Sequence, residues 1–248
     1  MSEKSFEGKV VLVTGGSGAI GAAICHKLAE QGATVAFSYN RKEERAAELT
    51  AELEAAGARC LAGKVDGCSG EEVNGFVAQV EKTFERVDVL INNLGATQVM
   101  PFALIEEDDW DQMMQVNLKS MFLFAKAVAR GMIRRRDGAI VNLGSIAGHR
   151  LLEVPVHYAT AKAGVTGFTV SLAKELCRYG VRVNAVAPGL IDSGIGTNVS
   201  ERQLADYNSF CALGRPGTAE EVAEMVAFVA SRRGSYINGQ NLIVDGGL

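Results

Sequence analysis

The chain is 248 residues long, 48% apolar and 22% charged, with a formal net charge of −4. This composition excludes a disordered or fibrous chain and supplies enough apolar material for a buried core. The mild acidity gives no global attraction to nucleic acid, and none is expected as a partner.

Five cysteines, Cys25, Cys60, Cys68, Cys177 and Cys211, are scattered, none at C-x-x-C spacing and with no His-x-x-x-His pair beside them. They read as reduced, mostly buried thiols of a cytoplasmic protein, with no metal site expected. The opening Met1–Gly8 carries no apolar leader. No run reaches the ~18 apolar residues of a membrane span, so no membrane partner is expected.

A β-branched run predicts the first strand at Lys9–Thr14. It ends in Thr14-Gly15-Gly16-Ser17-Gly18-Ala19-Ile20-Gly21, and a helix over Ala19–Gln31 follows. Glycines allow a tight turn and close approach of backbone to a pyrophosphate, while the helix start offers free N–H groups. Coming straight after a strand, the turn reads as a dinucleotide site formed by Gly15, Gly16, Ser17, Gly18 and Ile20. The second strand, Thr34–Tyr39, finishes at Asn40-Arg41-Lys42. A fold selective for NAD places a carboxylate there to hold the ribose hydroxyls, and this chain has none. Asn40 and Arg41 are therefore expected to take a 2′-phosphate, which favours NADP(H).

Further along come a helix at Glu43–Ala56, a strand at Arg59–Val65, a helix at Glu71–Arg86 and a strand at Val87–Asn92. The helical stretch Asp108–Arg136 reads as one helix or two. A strand at Ala139–Leu143, a helix at Val156–Tyr179 and a strand at Arg182–Val186 follow, then an irregular stretch, Gly189–Leu213. A helix at Ala219–Ala230 and a strand at Asn241–Val244 end the series. This alternation predicts an α/β fold: one domain over residues 1–248, a Rossmann-like, doubly wound parallel sheet of about seven strands with helices on both faces. An irregular segment as long as residues 189–213 is expected to be functional, a substrate loop.

Tyr158 and Lys162 are four apart on a predicted helix and share one face. A free phenol, with a pKa near ~10, shuttles protons poorly at neutral pH. A neighbouring ammonium favours the phenolate and is expected to lower that value toward what a general acid/base needs. Ser145, just past the fifth strand, can hydrogen-bond a substrate oxygen.

Thr14-Gly15-x-x-x-Ala19-x-Gly21, Asn92-Asn93-Leu94-Gly95, Asn117, Ser145, Tyr158-x-x-x-Lys162 and Pro188-Gly189 occur in this order. Over essentially its whole length the chain resembles the short-chain dehydrogenase/reductase superfamily. Within it, the likeness runs to bacterial 3-oxoacyl-[acyl-carrier-protein] reductases. That likeness is carried by Asn142–Gly148, Tyr158–Gly164, Val183–Asp192, Leu213-Gly214-Arg215 and Val244-Asp245-Gly246-Gly247.

The resemblance implies that Tyr158 gives a proton to the forming alkoxide and that Lys162 holds the nicotinamide ribose. It implies that Ser145 positions the carbonyl oxygen and that Asn117 helps hold a water linking Lys162 to solvent. Asp66 and Gly67 would border the adenine, Asn93 and Gly95 the middle of the cofactor, and Pro188, Gly189 and Ile191 the nicotinamide end. It further implies an acyl-carrier-protein-linked substrate and a homotetramer, with the apolar ending Asn241–Leu248 at a subunit interface. Two other readings stand beside it: reduction of a small ketone, alcohol or sugar on the same scaffold, and a non-catalytic NADP-binding sensor.

Three departures from the family pattern stand out. Ala19 replaces the second glycine, Leu94 replaces a smaller alanine, and Gly18 stands where acyl reductases that use NADP often carry arginine. Among other residues, His26 reads as packing or surface. His149 and His157 read as packing, with substrate contact as the alternative. Trp110, Met113 and Met114 read as a packing face. Arg130, Arg134, Arg135 and Arg136 read either as a solvated helix end or as a carrier-protein dock near the mouth of the site.

Overall fold

The computed structural model describes residues 4–150 and 152–248; Met1–Glu3, part of the segment read as leaderless, lie outside them, as does Leu151. The strands are β1 Val10–Val13, β2 Thr34–Tyr39, β3 Cys60–Lys64, β4 Val89–Asn92, β5 Gly138–Leu143, β6 Val181–Pro188 and β7 Asn241–Val244. The helices are α1 Ala19–Glu30, α2 Glu43–Ala55, α3 Gly70–Phe84, α4 Glu107–Met114, α5 Ser120–Arg135, α6 Val156–Leu176, α7 Glu201–Phe210 and α8 Ala219–Ala230. All strand pairs are parallel, and the sheet runs β3-β2-β1-β4-β5-β6-β7.

The first strand shows why helices cover both faces. Val11 and Val13 enter the layer that holds Ile24 and Leu28 of α1, Leu49 and Leu53 of α2, and Val222 and Val226 of α8. Val10 and Leu12 enter the opposite layer, with Val77 of α3, Phe124 of α5 and Leu176 of α6. Successive strand side chains face opposite sides, so an unbroken apolar run needs cover on both. The result is the single, doubly wound Rossmann-like unit expected. From β1 the chain winds toward β2 in one direction and β4 in the other, opening a crevice at the carboxyl ends of the strands.

The stretch read as one helix or two is two, and one other segment departs from the sequence reading. The Asp108–Arg136 stretch is interrupted: α4 and α5 are joined by a π-helical turn, Gln115–Lys119, with Asn117 at its centre. The Gly189–Leu213 stretch is not irregular throughout, because it contains α7. Ser200 Oγ accepts from the Gln203 N–H at 3.2 Å and the Gln203 side chain accepts from the Ser200 N–H at 3.0 Å, a reciprocal cap that starts this helix.

Candidate active site

Thr14, buried at the end of β1, ties together the turns that follow β1 and β4. Its Oγ1 accepts from the N–H of Asn93 and of Leu94, both at 2.9 Å. Asn93 Nδ2 donates back to the Thr14 and Gly15 carbonyls at 2.9 and 3.1 Å. Gly15 has φ +66°, and a Cβ on Gly21 would lie 2.4 Å from its carbonyl oxygen. Bare glycine is what lets the turn close this tightly. Gly16 lies against Phe37, Ser17 is buried and Ile20 is half-buried. The first turn of α1 has no side-chain cap and no acidic residue. Its N–H groups and partial positive charge are thus left to an anion, and the cradle fits a pyrophosphate.

At the end of β2, Tyr39 is half-buried while Asn40 and Arg41 are exposed. Glu43, the nearest following acid, pairs with Lys64 at 3.3 Å. Past β3, Asp66 Oδ1 accepts from the Cys68 N–H at 2.9 Å. A Cβ on the buried Gly67 would come within 2.3 Å of Leu94 Cδ2. The larger residue at position 94 thus occupies space that glycine leaves free at 67.

Ser145 is held where β5 and β6 end. The N–H groups of Gly144 and Ile146 donate to the carbonyls of Val186 and Pro188, at 2.8 and 3.1 Å. Tyr158 lies in the first turn of α6, half-buried, and Lys162 lies one turn on, only 5% exposed. Lys162 Nζ donates to the Leu143 carbonyl at 2.9 Å and stands 5.9 Å from the centroid of the Tyr158 ring. Burial draws the Lys162 ammonium down to about 8. Burial also pushes the Tyr158 phenol up, opposed by a hydrogen bond with Ser145. Burial thus sets the direction of the shift on the phenol, opposite to the lowering by the ammonium that was expected. The ammonium is bonded to the strand end, and desolvation is the larger influence on both groups.

Asn117 is fully buried at the π turn. Its Nδ2 donates to the carbonyls of Ala96 and Met113, at 2.9 and 3.1 Å, and its Oδ1 accepts from the Ala96 N–H at 3.2 Å. A Cβ on Gly95 would lie 3.0 Å from Asn117 Oδ1 and 3.4 Å from Lys162 Nζ. Gly95, Asn117 and Lys162 thus meet at one point. A π turn is a recurrent device for aiming a functional side chain out of a helix. Pro188 ends β6, and Ile191 is buried. A Cβ on Gly189 would lie 2.4 Å from the Tyr207 hydroxyl.

Sequence reasoning missed a buried polar chain beneath these groups. Asn92 Nδ2 donates to Asn142 Oδ1, and Asn142 Nδ2 donates to Thr169 Oγ1, both at 2.9 Å. It links β4, β5 and α6; the readable signal was an asparagine inside each of two apolar strands. Tyr207 was also missed. Its hydroxyl accepts from the Leu190 N–H at 3.2 Å and donates to the Asp245 carbonyl at 3.1 Å.

Other singled-out residues lie elsewhere. His26 pairs with Glu52 at 2.9 Å, and His149 Nε2 sits 3.0 Å from Thr166 Oγ1. Met113 is buried, but Trp110 stands exposed. Arg134, Arg135 and Arg136 sit beside the start of β5, whereas Ser145 follows its end. At the usual strand rise, ~20 Å separates them, so the expected position at the site mouth is corrected. Arg136 also donates to the Arg178 carbonyl at 2.9 Å, and Arg135 to that of Val87.

Known proteins match this chain in sequence and fold over nearly its whole length. The family model described as Enoyl-(Acyl carrier protein) reductase matches residues 15–248. The chain belongs to the short-chain dehydrogenase/reductase family and is an oxidoreductase. It is 38% identical over 244 residues to the 3-oxoacyl-[acyl-carrier-protein] reductase FabG of Escherichia coli (strain K12), covering 98% of both chains. FabG of Thermotoga maritima is likewise 38% identical over 247 residues, with 98% of both covered. Among solved structures, a short-chain dehydrogenase/reductase from Serratia marcescens superposes with a TM-score of 0.92 at 33% identity, covering 98% of both chains. A blue fluorescent protein from a metagenomic library, in complex with NADPH, gives 0.91 at 35% identity and covers 97% of this chain and 98% of that one. Among the described residues no helix is long and apolar enough to cross a membrane.

Proposed function

We propose that this protein reduces the 3-oxo group of an acyl thioester carried on acyl carrier protein, using NADPH. The observation that carries the reading is the convergence of Ser145, Tyr158 and Lys162 at the carboxyl ends of the central strands, facing the glycine cradle after β1. Gly15, Gly16, Ser17, Gly18 and Ile20 hold the pyrophosphate. Asn40 and Arg41 take the 2′-phosphate, and Asp66 and Gly67 border the adenine. Asn93, Gly95, Pro188, Gly189 and Ile191 line the rest. When bound, the nicotinamide supplies the hydride.

The chain's own residues manage the oxygen. Ser145 donates a hydrogen bond that orients the carbonyl. Tyr158, kept protonated by burial, gives its proton to the oxygen as negative charge develops there. Lys162 then returns a proton toward the phenolate and is itself resupplied from solvent through a water that Asn117 helps hold. Of the two reactions in the relatives' and family model's names, ketone reduction is favoured because both hydroxyls address one oxygen.

The segment 189–213 closes over the acyl chain. The half-open apolar groove between Leu118, Phe122 and Phe168 fits the expected homotetramer. Tyr158→Phe should cost at least ~10²-fold in kcat with acetoacetyl thioester while NADPH binding survives. Near-normal turnover in that variant would sink the assignment.

A further inference from the structure

His157 is fully buried although it immediately precedes the acid/base. It is the second residue of α6, and the first N–H groups of a helix have no partner within the helix. Here the Tyr158 N–H finds one, because it donates to His157 Nδ1 at 3.0 Å. That bond assigns the tautomer: Nδ1 carries the lone pair and Nε2 carries the hydrogen. Nε2 is itself buried and has no partner among the described residues.

The charged surroundings are sparse. Asp109 of α4 is the carboxylate whose field reaches the ring, and its oxygens already accept from Gln98 Nε2 and the Glu106 N–H. On α6 itself the ionisable neighbours are Tyr158 and Lys162. Of the strands packed beside α6, β5 contains no ionisable residue. In β6 only Arg182 is charged, and it is bonded to carbonyls at the end of α8.

We propose that His157 is a positioning residue for Tyr158. The proposal rests on Tyr158 being the acid/base. Nδ1 supplies the acceptor that the Tyr158 N–H lacks within the helix, from a ring that burial holds in place. Without that acceptor the first turn of α6 is free to shift, and the phenol moves off the oxygen it must protonate.

A pair of variants tests this. His157→Leu, which fills the space without an acceptor, should lose about tenfold in kcat with NADPH and acetoacetyl thioester, while KM stays near that of the wild type. In His157→Asn, Oδ1 hangs from Cγ as Nδ1 does and accepts the same N–H, so most of the wild-type kcat should be recovered. Full kcat in His157→Leu, or the same loss in His157→Asn, would overturn the proposal. If the leucine variant fails to fold, the kcat of His157→Asn still decides. Full turnover in Tyr158→Phe would instead remove the assignment on which it rests.

Discussion

The carbonyl oxygen of Leu143, the last residue of β5, accepts from Lys162 Nζ at 2.9 Å. The end of one strand therefore grips the cation buried at the site's centre. That single bond does not offset the loss of water around an ammonium 5% exposed, and the group is drawn down from 10.5 to about 8.

The first prediction follows from that imbalance. Below about pH 8 both folded and unfolded chains carry the charge, and its burial costs on the order of 3 kcal/mol. Between about 8 and 10.5 the unfolded chain binds more protons, so this group's penalty shrinks as pH rises. Lys162→Met should melt a few degrees above the unliganded wild type at neutral pH. The gap should narrow toward pH ~10.5. Turnover should be lost in the same variant. Equal melting temperatures at neutral pH would show that the ammonium is better solvated than its burial indicates.

Cofactor choice is tested at Tyr39. With no carboxylate at the end of β2, NADPH should be preferred over NADH. Tyr39→Asp adds a carboxylate beside the proposed 2′-phosphate position, and the ratio of kcat/KM for the two cofactors should move at least ~10-fold toward NADH. Parity between the cofactors in the wild type would count against the reading.

Gly67 and Leu94 should prove coupled. Gly67→Ala places a methyl where Leu94 Cδ2 lies, 2.3 Å away. Overpacking of this kind costs ~1–3 kcal/mol. Leu94→Ala in the same chain should recover most of the loss, and a thermal double-mutant cycle measures the coupling. Additive losses would show that the leucine turns aside freely.

Carrier docking is best tested at Arg134, which is exposed, because Arg136 is engaged with the Arg178 carbonyl. Arg134, Arg136 and Arg178 form a basic corner ~20 Å from Ser145 by strand length. Arg134→Glu should raise KM for a carrier-bound substrate about threefold or more at low salt and leave a small thioester unchanged. Equal effects on both substrates would indicate altered folding.

Much of this was legible in the sequence, for identifiable reasons. Short apolar strands covered on both faces read clearly, and Val10–Val13 is the plainest case. The glycine turn and the four-residue spacing of Tyr158 and Lys162 are local, so sequence carries them. What did not read depends on distant partners. The departure at Leu94 makes sense only once Gly67 is seen beneath it. The arginines of α5 are close to Ser145 in sequence, but an entire strand separates them in space. Helix α7 buries no residue, so it has no apolar stripe to announce it. The Ser200–Gln203 spacing was its one local sign.

Helix α7 also has a mechanical consequence. With no side chain of its own in the core, it is fastened through the Tyr207 hydroxyl to Leu190 and Asp245, while just beyond it Cys211 is buried and the Ala212 and Leu213 N–H groups donate to the Gly247 and Gly246 carbonyls. Releasing the two Tyr207 bonds costs about 1 kcal/mol each, far less than global unfolding. The helix can therefore lift about that anchored end as a local event while the sheet stays whole. One of the two fastenings is the backbone of Leu190, next to the residue proposed to touch the nicotinamide. Whatever presses on that backbone from the cofactor side also presses on the clasp, so under the proposed function loading the cofactor and moving α7 share one joint.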